Sequence, residues 1–210
     1  MSDEVPEKRQ RFQLMRELVL ADFITLSNAA AGTASLFLCL NYMDDGESRW
    51  LWLAFALLPV AFVFDALDGM VARKGKRQSP YGGDLDSLAD TISFGVAPAV
   101  LGFTLGLRGF WDILILLYFV CCGIARLARF NATADDLMTD AGKVAYFEGT
   151  PIPTSLSIVL VLAVAFYLGA VGEHLWLGGV RFGGGGLHWL TFLYAISGSL
   201  MVSTIRVPKP

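Results

Sequence analysis

Four aspartates lie close together in the segment FVFDALDGMVARKGKRQSPYGGDLDSLAD of a chain that is otherwise largely apolar. They follow the spacing D-x2-D-G-x2-A-R-x8-G-x3-D-x3-D, whose fixed positions are Asp65, Asp68, Gly69, Ala72, Arg73, Gly82, Asp86 and Asp90. Carboxylates near hydrocarbon are costly, so a group of four requires a compensating cation or a function. The spacing predicts a divalent-metal site that binds a diphosphate.

The spacing also predicts two helical faces. The residues from Asp65 to Arg73 fall at i, i+3, i+4, i+7 and i+8 of one helix, and Gly82, Asp86 and Asp90 fall at i, i+4 and i+8 of the next. A short loop makes these helices neighbours, so the carboxylates converge and repel one another unless cations are bound. The alternative for each pair of acids alone is a solvated or favourably placed helix end.

Magnesium suits such a site, because Mg²⁺ prefers oxygen ligands and commonly binds a few carboxylates together with substrate phosphates. Two ions of this kind can clamp a diphosphate and stabilise a leaving group. Gly69 leaves room for a base or a phosphate beside the helix, and the planar fork of Arg73 can pair with phosphate oxygens. Residues Asp65, Asp68, Asp86 and Asp90 are therefore the predicted metal ligands.

The elements that must position these residues are membrane helices. Hydrophobic residues form 55% of the 210 residues, only 17% are charged, and the mean hydropathy is +0.56. These values predict an all-α integral membrane protein, a single domain over residues 1–210. Six stretches are long enough to span a bilayer: approximately 22–43, 50–72, 85–106, 110–131, 152–172 and 186–205.

The distribution of basic residues predicts the orientation of the spans. Thirteen of the sixteen Lys and Arg residues fall on the side of the two termini, and only Arg49, Arg108 and Arg181 fall on the other. Positively charged segments stay in the cytoplasm, so both termini and the aspartates are expected there. No nucleic-acid partner is expected, because the basic residues are dispersed among membrane loops without a binding motif.

Two further segments have their own predicted structure. Residues 6–21 place apolar side chains on one helical face and are expected to form an amphipathic helix in the cytoplasmic interface. A simple charged tail is the alternative. Residues 174–186 are rich in glycine and are expected to form a flexible connection on the opposite side.

Polar residues outside the pattern are candidates for substrate contacts. Arg126 and Arg129 can hold an acceptor carboxylate or a lipid phosphate, although they can also reach toward anionic headgroups. Asn131 and the turn at Gly149 and Pro151 can shape the acceptor pocket above the metals. Asn28, in the first span, can contact the nucleotide or a metal-bound water, or instead form an interhelical hydrogen bond.

The pattern resembles the signature of the CDP-alcohol phosphotransferases at every fixed position, and the six-span architecture of that family covers nearly the whole chain. The resemblance implies attack by an acceptor hydroxyl on the β-phosphorus of a CDP-linked lipid, with release of CMP. It also implies a homodimer. The implied metal ligands are Asp65, Asp68 and Asp86, with Asp90 as general base and second-metal ligand. The implied CDP contacts are Gly69, Ala72, Arg73 and Gly82.

Three other segments are similar to the branch of this family that uses L-serine as acceptor: SFGVAPA, GIARLARFN and FEGTPIP. The expected reaction is CDP-diacylglycerol plus L-serine giving phosphatidylserine and CMP, with Mg²⁺ or Mn²⁺. Glycerol 3-phosphate, an inositol phosphate or another alcohol is the alternative acceptor. A cation transporter is the alternative of another class, since acids within membranes often mark ion paths.

Overall fold

The computed structural model describes residues 18–74, 80–137, 146–176, 178–182, 185–204 and 206–208, and most of them are helical. The α-helices are α1 (Leu20–Asp45), α2 (Ser48–Lys74), α3 (Gly82–Asp90), α4 (Ala97–Leu105), α5 (Phe110–Leu137), α6 (Leu156–Tyr167) and α7 (Phe192–Val202). A π-helix (Thr91–Val96) joins α3 to α4 without a break. The predicted interfacial helix over residues 6–21 lies mostly outside the described residues.

Within the described ranges, four helical segments are long and apolar enough to cross a membrane: Leu20–Asp45, Ser48–Ala72, Gly82–Leu105 and Phe110–Thr133. They agree with the first four predicted spans to within three residues at each end. The first begins where Asp22 accepts a hydrogen bond from the backbone N–H of Val19 (2.8 Å), a favourable place for an acid. It ends at Gly46, whose φ of 72° stops the helix.

The remaining two apolar helices are shorter than the predicted spans. They run over Ile152–Tyr167 and Trp189–Val202, and each begins with a 3₁₀ turn, over Ile152–Ser155 and Trp189–Thr191. The first of them was expected to continue to residue 172, but it stops before Gly169, whose φ is 73°. Both are shorter than the roughly 20 residues that are typical of a full crossing.

The glycine-rich segment is ordered, so the expected flexible connection is wrong for its described part. Strand β2 (Gly179–Phe182) pairs antiparallel with β3 (Gly185–His188). The sixth span was expected to begin at residue 186, which lies within β3. A second short pairing joins β1 (Tyr146–Glu148) to β4 (Arg206–Pro208).

A buried carboxylate fixes the β2–β3 hairpin to the start of α5. Asp112 is fully buried and accepts hydrogen bonds from the backbone N–H groups of Gly109 (3.0 Å) and His188 (2.8 Å) and from Thr191 Oγ1 (2.6 Å). His188 Nδ1 lies 2.6 Å from the same carboxylate. Four partners satisfy this acid, which explains how a polar group is tolerated here.

The third crossing segment lies at the centre of the bundle and packs against α1, α2, α5 and α6. Its buried face includes Phe94, Leu101 and Leu105. Tyr194 of α7 is fully buried and donates a hydrogen bond to the carbonyl oxygen of Pro98 (2.6 Å). The central position of this segment brings α3 next to α1, α2 and α5, which positions the acid-bearing residues.

Candidate active site

Three carboxylates meet where the C-terminal part of α2 approaches α3. Asp65 and Asp68 lie one turn apart on α2, and Asp86 comes from α3. One oxygen of each lies within 4.8 Å of an oxygen of the other two. The structure therefore brings these three predicted ligands together, as the two helical faces required.

Asp90 lies one turn beyond Asp86 and is 6% exposed. Its Oδ1 accepts a hydrogen bond from Asn28 Nδ2 (3.3 Å), which is fully buried in α1. Of the alternatives for Asn28, the structure shows the interhelical hydrogen bond. Its contact with a nucleotide remains a prediction.

Thr25 is a polar contact of the acid cluster that the sequence reasoning missed. It is buried in α1, and its hydroxyl donates to Asp68 Oδ2 at 2.6 Å. Thr25 precedes Asn28 by three residues, so the two side chains share one face of the helix. That spacing was the available signal, but a threonine within an apolar span is most simply explained by helix packing.

The π-helix begins immediately after Asp90. Short π segments within α-helices occur frequently at functional sites. Here Ser93 Oγ donates to the carbonyl oxygen of Asn28 (3.0 Å), so the π-helix is bonded to α1 as well. Gly32 of α1 lies against Ser93, and a Cβ atom at this glycine would sit 2.8 Å from the Ser93 Cα.

The predicted nucleotide contacts lie next to the acids along the chain. A Cβ atom at Gly69 would meet no described atom within 4 Å, which agrees with open space for a ligand beside Asp68. Ala72 is exposed one turn further on, and Gly82 is the first residue of α3. The side chain of Arg73 lies outside the described part of the chain, so its predicted phosphate contact stays a prediction.

The candidate acceptor residues of α5 have different surroundings. Arg126 interacts electrostatically with Asp86 and Asp90. Asn131 and Ser87 of α3 form a reciprocal pair: Asn131 Nδ2 donates to Ser87 Oγ (2.9 Å), and Ser87 Oγ lies 3.2 Å from Asn131 Oδ1. Arg126 and Asn131 thus approach the acid-bearing helix.

Arg129 contacts another part of the structure. One of its guanidinium nitrogens donates to the carbonyl oxygen of Ser203 (3.3 Å), just beyond α7. Gly149 and Thr150 also contact the end of α7. Gly149 packs on the carbonyl oxygen of Met201, and the N–H of Thr150 donates a hydrogen bond to the carbonyl oxygen of Leu200 (3.2 Å). Pro151 directly precedes the 3₁₀ turn. Their predicted roles with the acceptor are untested.

The donor set fits hard divalent cations. The oxygens of the cluster come from carboxylates on two helices, and Asn28 Oδ1 is a buried acceptor without a hydrogen-bond partner in the described structure. Carboxylate and amide oxygens suit Mg²⁺ and Mn²⁺, whereas the free cysteines Cys39, Cys121 and Cys122 lie elsewhere in the spans. The arrangement can hold cations together with the oxygens of a phosphate-bearing substrate.

Residues 18–200 match the family described as CDP-alcohol phosphatidyltransferase, and the chain belongs to this family. The family in general depends on divalent cations. The chain is also similar to curated relatives with more specific names. It is 40% identical to the CDP-diacylglycerol–serine O-phosphatidyltransferase of Saccharomyces cerevisiae over 95% of this chain and 74% of the yeast protein.

Two archaeal relatives extend the comparison. The archaetidylserine synthase of Methanothermobacter thermautotrophicus is 39% identical over 91% of this chain and 70% of its own. The CDP-diacylglycerol–serine O-phosphatidyltransferase of Methanocaldococcus jannaschii is 30% identical over 94% of this chain and 78% of its own. The names of all three relatives include serine as the acceptor or as part of the product.

Proposed function

We propose that this protein transfers the phosphatidyl group of CDP-diacylglycerol to the hydroxyl of L-serine and releases CMP. The observation that supports the reaction most directly is the meeting of Asp65, Asp68 and Asp86 within 4.8 Å, at the spacing that defines the family resemblance. The relatives named as serine transferases support the choice of acceptor.

The carboxylates of Asp65, Asp68 and Asp86 would hold divalent cations, Mg²⁺ or Mn²⁺, and Asp90 would contribute to the second of two sites. Cations bound there would neutralise the diphosphate and stabilise the departing CMP. The protein contributes the spacing of the carboxylates, which is fixed by two adjacent helices and by the polar contacts of α1.

Asp90 is the general base in this proposal. Its carboxylate accepts the proton of the serine hydroxyl as the hydroxyl oxygen forms a bond to the β-phosphorus. The bond between that phosphorus and the bridging oxygen breaks, and CMP leaves with the electron pair. The burial of Asp90, at 6% exposure, limits the access of water that would compete with serine.

The nucleotide lies along the face of α2 that continues from the acids. Gly69 and Ala72 present little side chain there, so a flat base or a phosphate can approach the backbone, and Gly82 begins the facing helix. Arg73 pairs with phosphate oxygens. Asn28 approaches the CDP moiety from α1, where its Oδ1 is an available acceptor.

The acceptor binds on the side of the acids formed by α5 and the 149–151 turn. Arg126 holds the serine carboxylate or the lipid phosphate, because its positive charge lies close enough to Asp86 and Asp90 to interact with them. Asn131 lines the same region through its pairing with Ser87. Arg129, Gly149 and Pro151 shape its outer wall.

The four long apolar helices and the family membership support an integral membrane protein. We further propose six spans, with the shorter helices over Ile152–Tyr167 and Trp189–Val202 completing the set. The basic residues favour cytoplasmic termini and a cytoplasmic active site. We also propose that residues 1–210 form a single domain. Two copies of the chain form a homodimer in this proposal, as the family resemblance implies.

The direct test is CMP release by the purified protein. It would be given CDP-diacylglycerol, Mg²⁺ or Mn²⁺, and one acceptor at a time from L-serine, glycerol 3-phosphate, inositol phosphate and other alcohols. Serine-dependent CMP release, with phosphatidylserine as the lipid product, is the expected result. Release with another alcohol instead of serine would overturn the acceptor, and no release with any of them would overturn the transferase.

A further inference from the structure

We propose that Thr25 and Asn28 are a pair of positioning residues through which α1 sets the distance between the acids of α2 and those of α3. Thr25 bonds Asp68 and Asn28 bonds Asp90, so one helix face holds a carboxylate from each neighbour. The proposal rests on the function given above, and it adds a part of the machinery that lies outside the aspartate signature.

The hydroxyl of Thr25 has two acceptors within reach but only one proton to donate. Asp68 Oδ2 lies at 2.6 Å and the carbonyl oxygen of Ala21, one turn back on the same helix, at 3.1 Å. The shorter distance falls in the range of charge-assisted O–H···O⁻ bonds, which are roughly twice as strong as neutral ones. The proton therefore belongs to the interhelical bond with Asp68.

Asn28 is held from two directions. Its side chain donates to Asp90, and its backbone carbonyl accepts from Ser93 three residues further along the same segment. The amide orientation follows from its partner, because a carboxylate accepts hydrogen bonds and so faces the NH₂ group rather than the oxygen. The remaining amide oxygen, fully buried and unpartnered among the described residues, suits a metal-bound water or a donor group of the nucleotide.

These two contacts address a mechanical problem of the site. The carboxylates of α2 and α3 repel one another, so they tend to separate whenever cations are absent. Donors from a third helix hold one acid of each pair without adding charge. Groups that orient metal ligands in this way typically contribute about 10- to 100-fold to metal affinity.

The test measures Mn²⁺ binding to the purified full-length protein by electron paramagnetic resonance, without lipid substrate. Thr25→Val and Asn28→Leu remove the donors while keeping side-chain size. Each is expected to weaken Mn²⁺ binding by about 10-fold or more. Thr25→Ser keeps the hydroxyl and is expected to bind Mn²⁺ nearly as the unmodified protein does.

Thr33→Val is the matched control. Thr33 lies on the same helix, and its hydroxyl donates to the carbonyl oxygen of Ala29 (2.8 Å) rather than to an acid. Unchanged Mn²⁺ affinity in this control, with a loss in Thr25→Val, supports positioning. Equal losses in both threonine variants, or none in Thr25→Val, overturn it. Thermal unfolding identifies variants that fail to fold. If Asn28→Leu does not fold, the Mn²⁺ affinity of Thr25→Val is the test of the proposal.

Mn²⁺ affinity is measured on the protein alone, so weakened binding in Thr25→Val supports the pair even if serine proves to be the wrong acceptor. Conversely, serine-dependent CMP release by a Thr25→Val protein with normal Mn²⁺ affinity overturns the pair and leaves the transferase intact.

Discussion

Replacing Gly32 by alanine tests whether the contact between α1 and the π-helix sets the geometry of the acids. Gly32 is buried against Ser93, and a Cβ atom there would lie 2.8 Å from the Ser93 Cα. Ordinary contact begins at 3.4 Å. Because the obstructing atom is backbone, the two helices must move apart by about 0.6 Å, since backbone has no rotamer to change.

This displacement is large enough to break the contact that α1 makes with Asp90. The hydrogen bond from Asn28 to Asp90 is already 3.3 Å long, and a further 0.6 Å exceeds the range of a hydrogen bond. Overpacking costs about 1–3 kcal/mol, whereas alanine in place of helical glycine gains roughly 0.5–1 kcal/mol. The net expectation is a loss of stability.

The assay combines thermal unfolding with serine-dependent CMP release at saturating substrate. A misplacement of 1 Å can reduce catalysis by about 100-fold, so a shift of about 0.6 Å is expected to lower kcat by roughly tenfold. Gly95→Ala is the matched control. Gly95 lies in the same π-helix, and its added Cβ would sit 3.9 Å from Ile152 Cδ1, an ordinary contact.

If Gly32→Ala unfolds at the same temperature as Gly95→Ala and keeps the same kcat, then the close approach to Ser93 does not position Asp90. A loss of stability with unchanged kcat would also refute it, because the packing of α1 would then matter to the fold and not to the acids.

Three other variants have defined expected outcomes. Asp90→Asn removes the general base, so binding of CDP-diacylglycerol should persist while turnover falls by about 100-fold or more; unchanged turnover would exclude this role. Gly149→Ala forces alanine to a φ of 76° against Met201, so thermal unfolding should show a loss of about 1–2 kcal/mol. Asp112→Asn disturbs a buried acceptor of several donors and should cost about 1–3 kcal/mol in unfolding, with kcat of the folded protein unchanged; altered kcat would link this end of the bundle to catalysis.

Helical periodicity explains why the acid cluster was predictable. Two adjacent apolar helices with acids at i, i+3 and at i, i+4 leave few ways to place the carboxylates apart, and the structure brings Asp65, Asp68 and Asp86 together. The first four apolar spans were equally predictable from the sequence, because length and hydropathy define them without reference to their neighbours.

The partners of those acids could not be derived in the same way. Apart from its spacing from Asn28, nothing local distinguishes Thr25 from Thr33, since both lie in one apolar helix and both have a hydroxyl within reach of a carbonyl one turn back. Only the packing of α1 on α2 decides that Thr25 meets Asp68. Asn28 left two alternatives open for the same reason, because its partner belongs to another helix.

The glycine content of one segment led to a wrong expectation about its conformation. The glycines near residues 179–186 indicated flexibility, but glycine also permits close backbone approach, and β2 pairs with β3 there. Asp112 of α5 then accepts the N–H of His188 at the end of that hairpin. No pattern within the glycine-rich segment indicates a carboxylate that lies far earlier in the chain.

The π-helix after Asp90 has a consequence for how the two halves of the third crossing segment can vary. A π turn contains one residue more than an α turn, and one residue corresponds to about 100° of rotation about the helix axis. If the same residues formed an unbroken α-helix, the acid-bearing α3 would be turned by about 100° relative to α4. In evolutionary terms, a one-residue deletion within Thr91–Val96 returns the π turn to an α turn and keeps the present relation of α3 to α4, so a single-residue gap between homologous chains should fall in this segment.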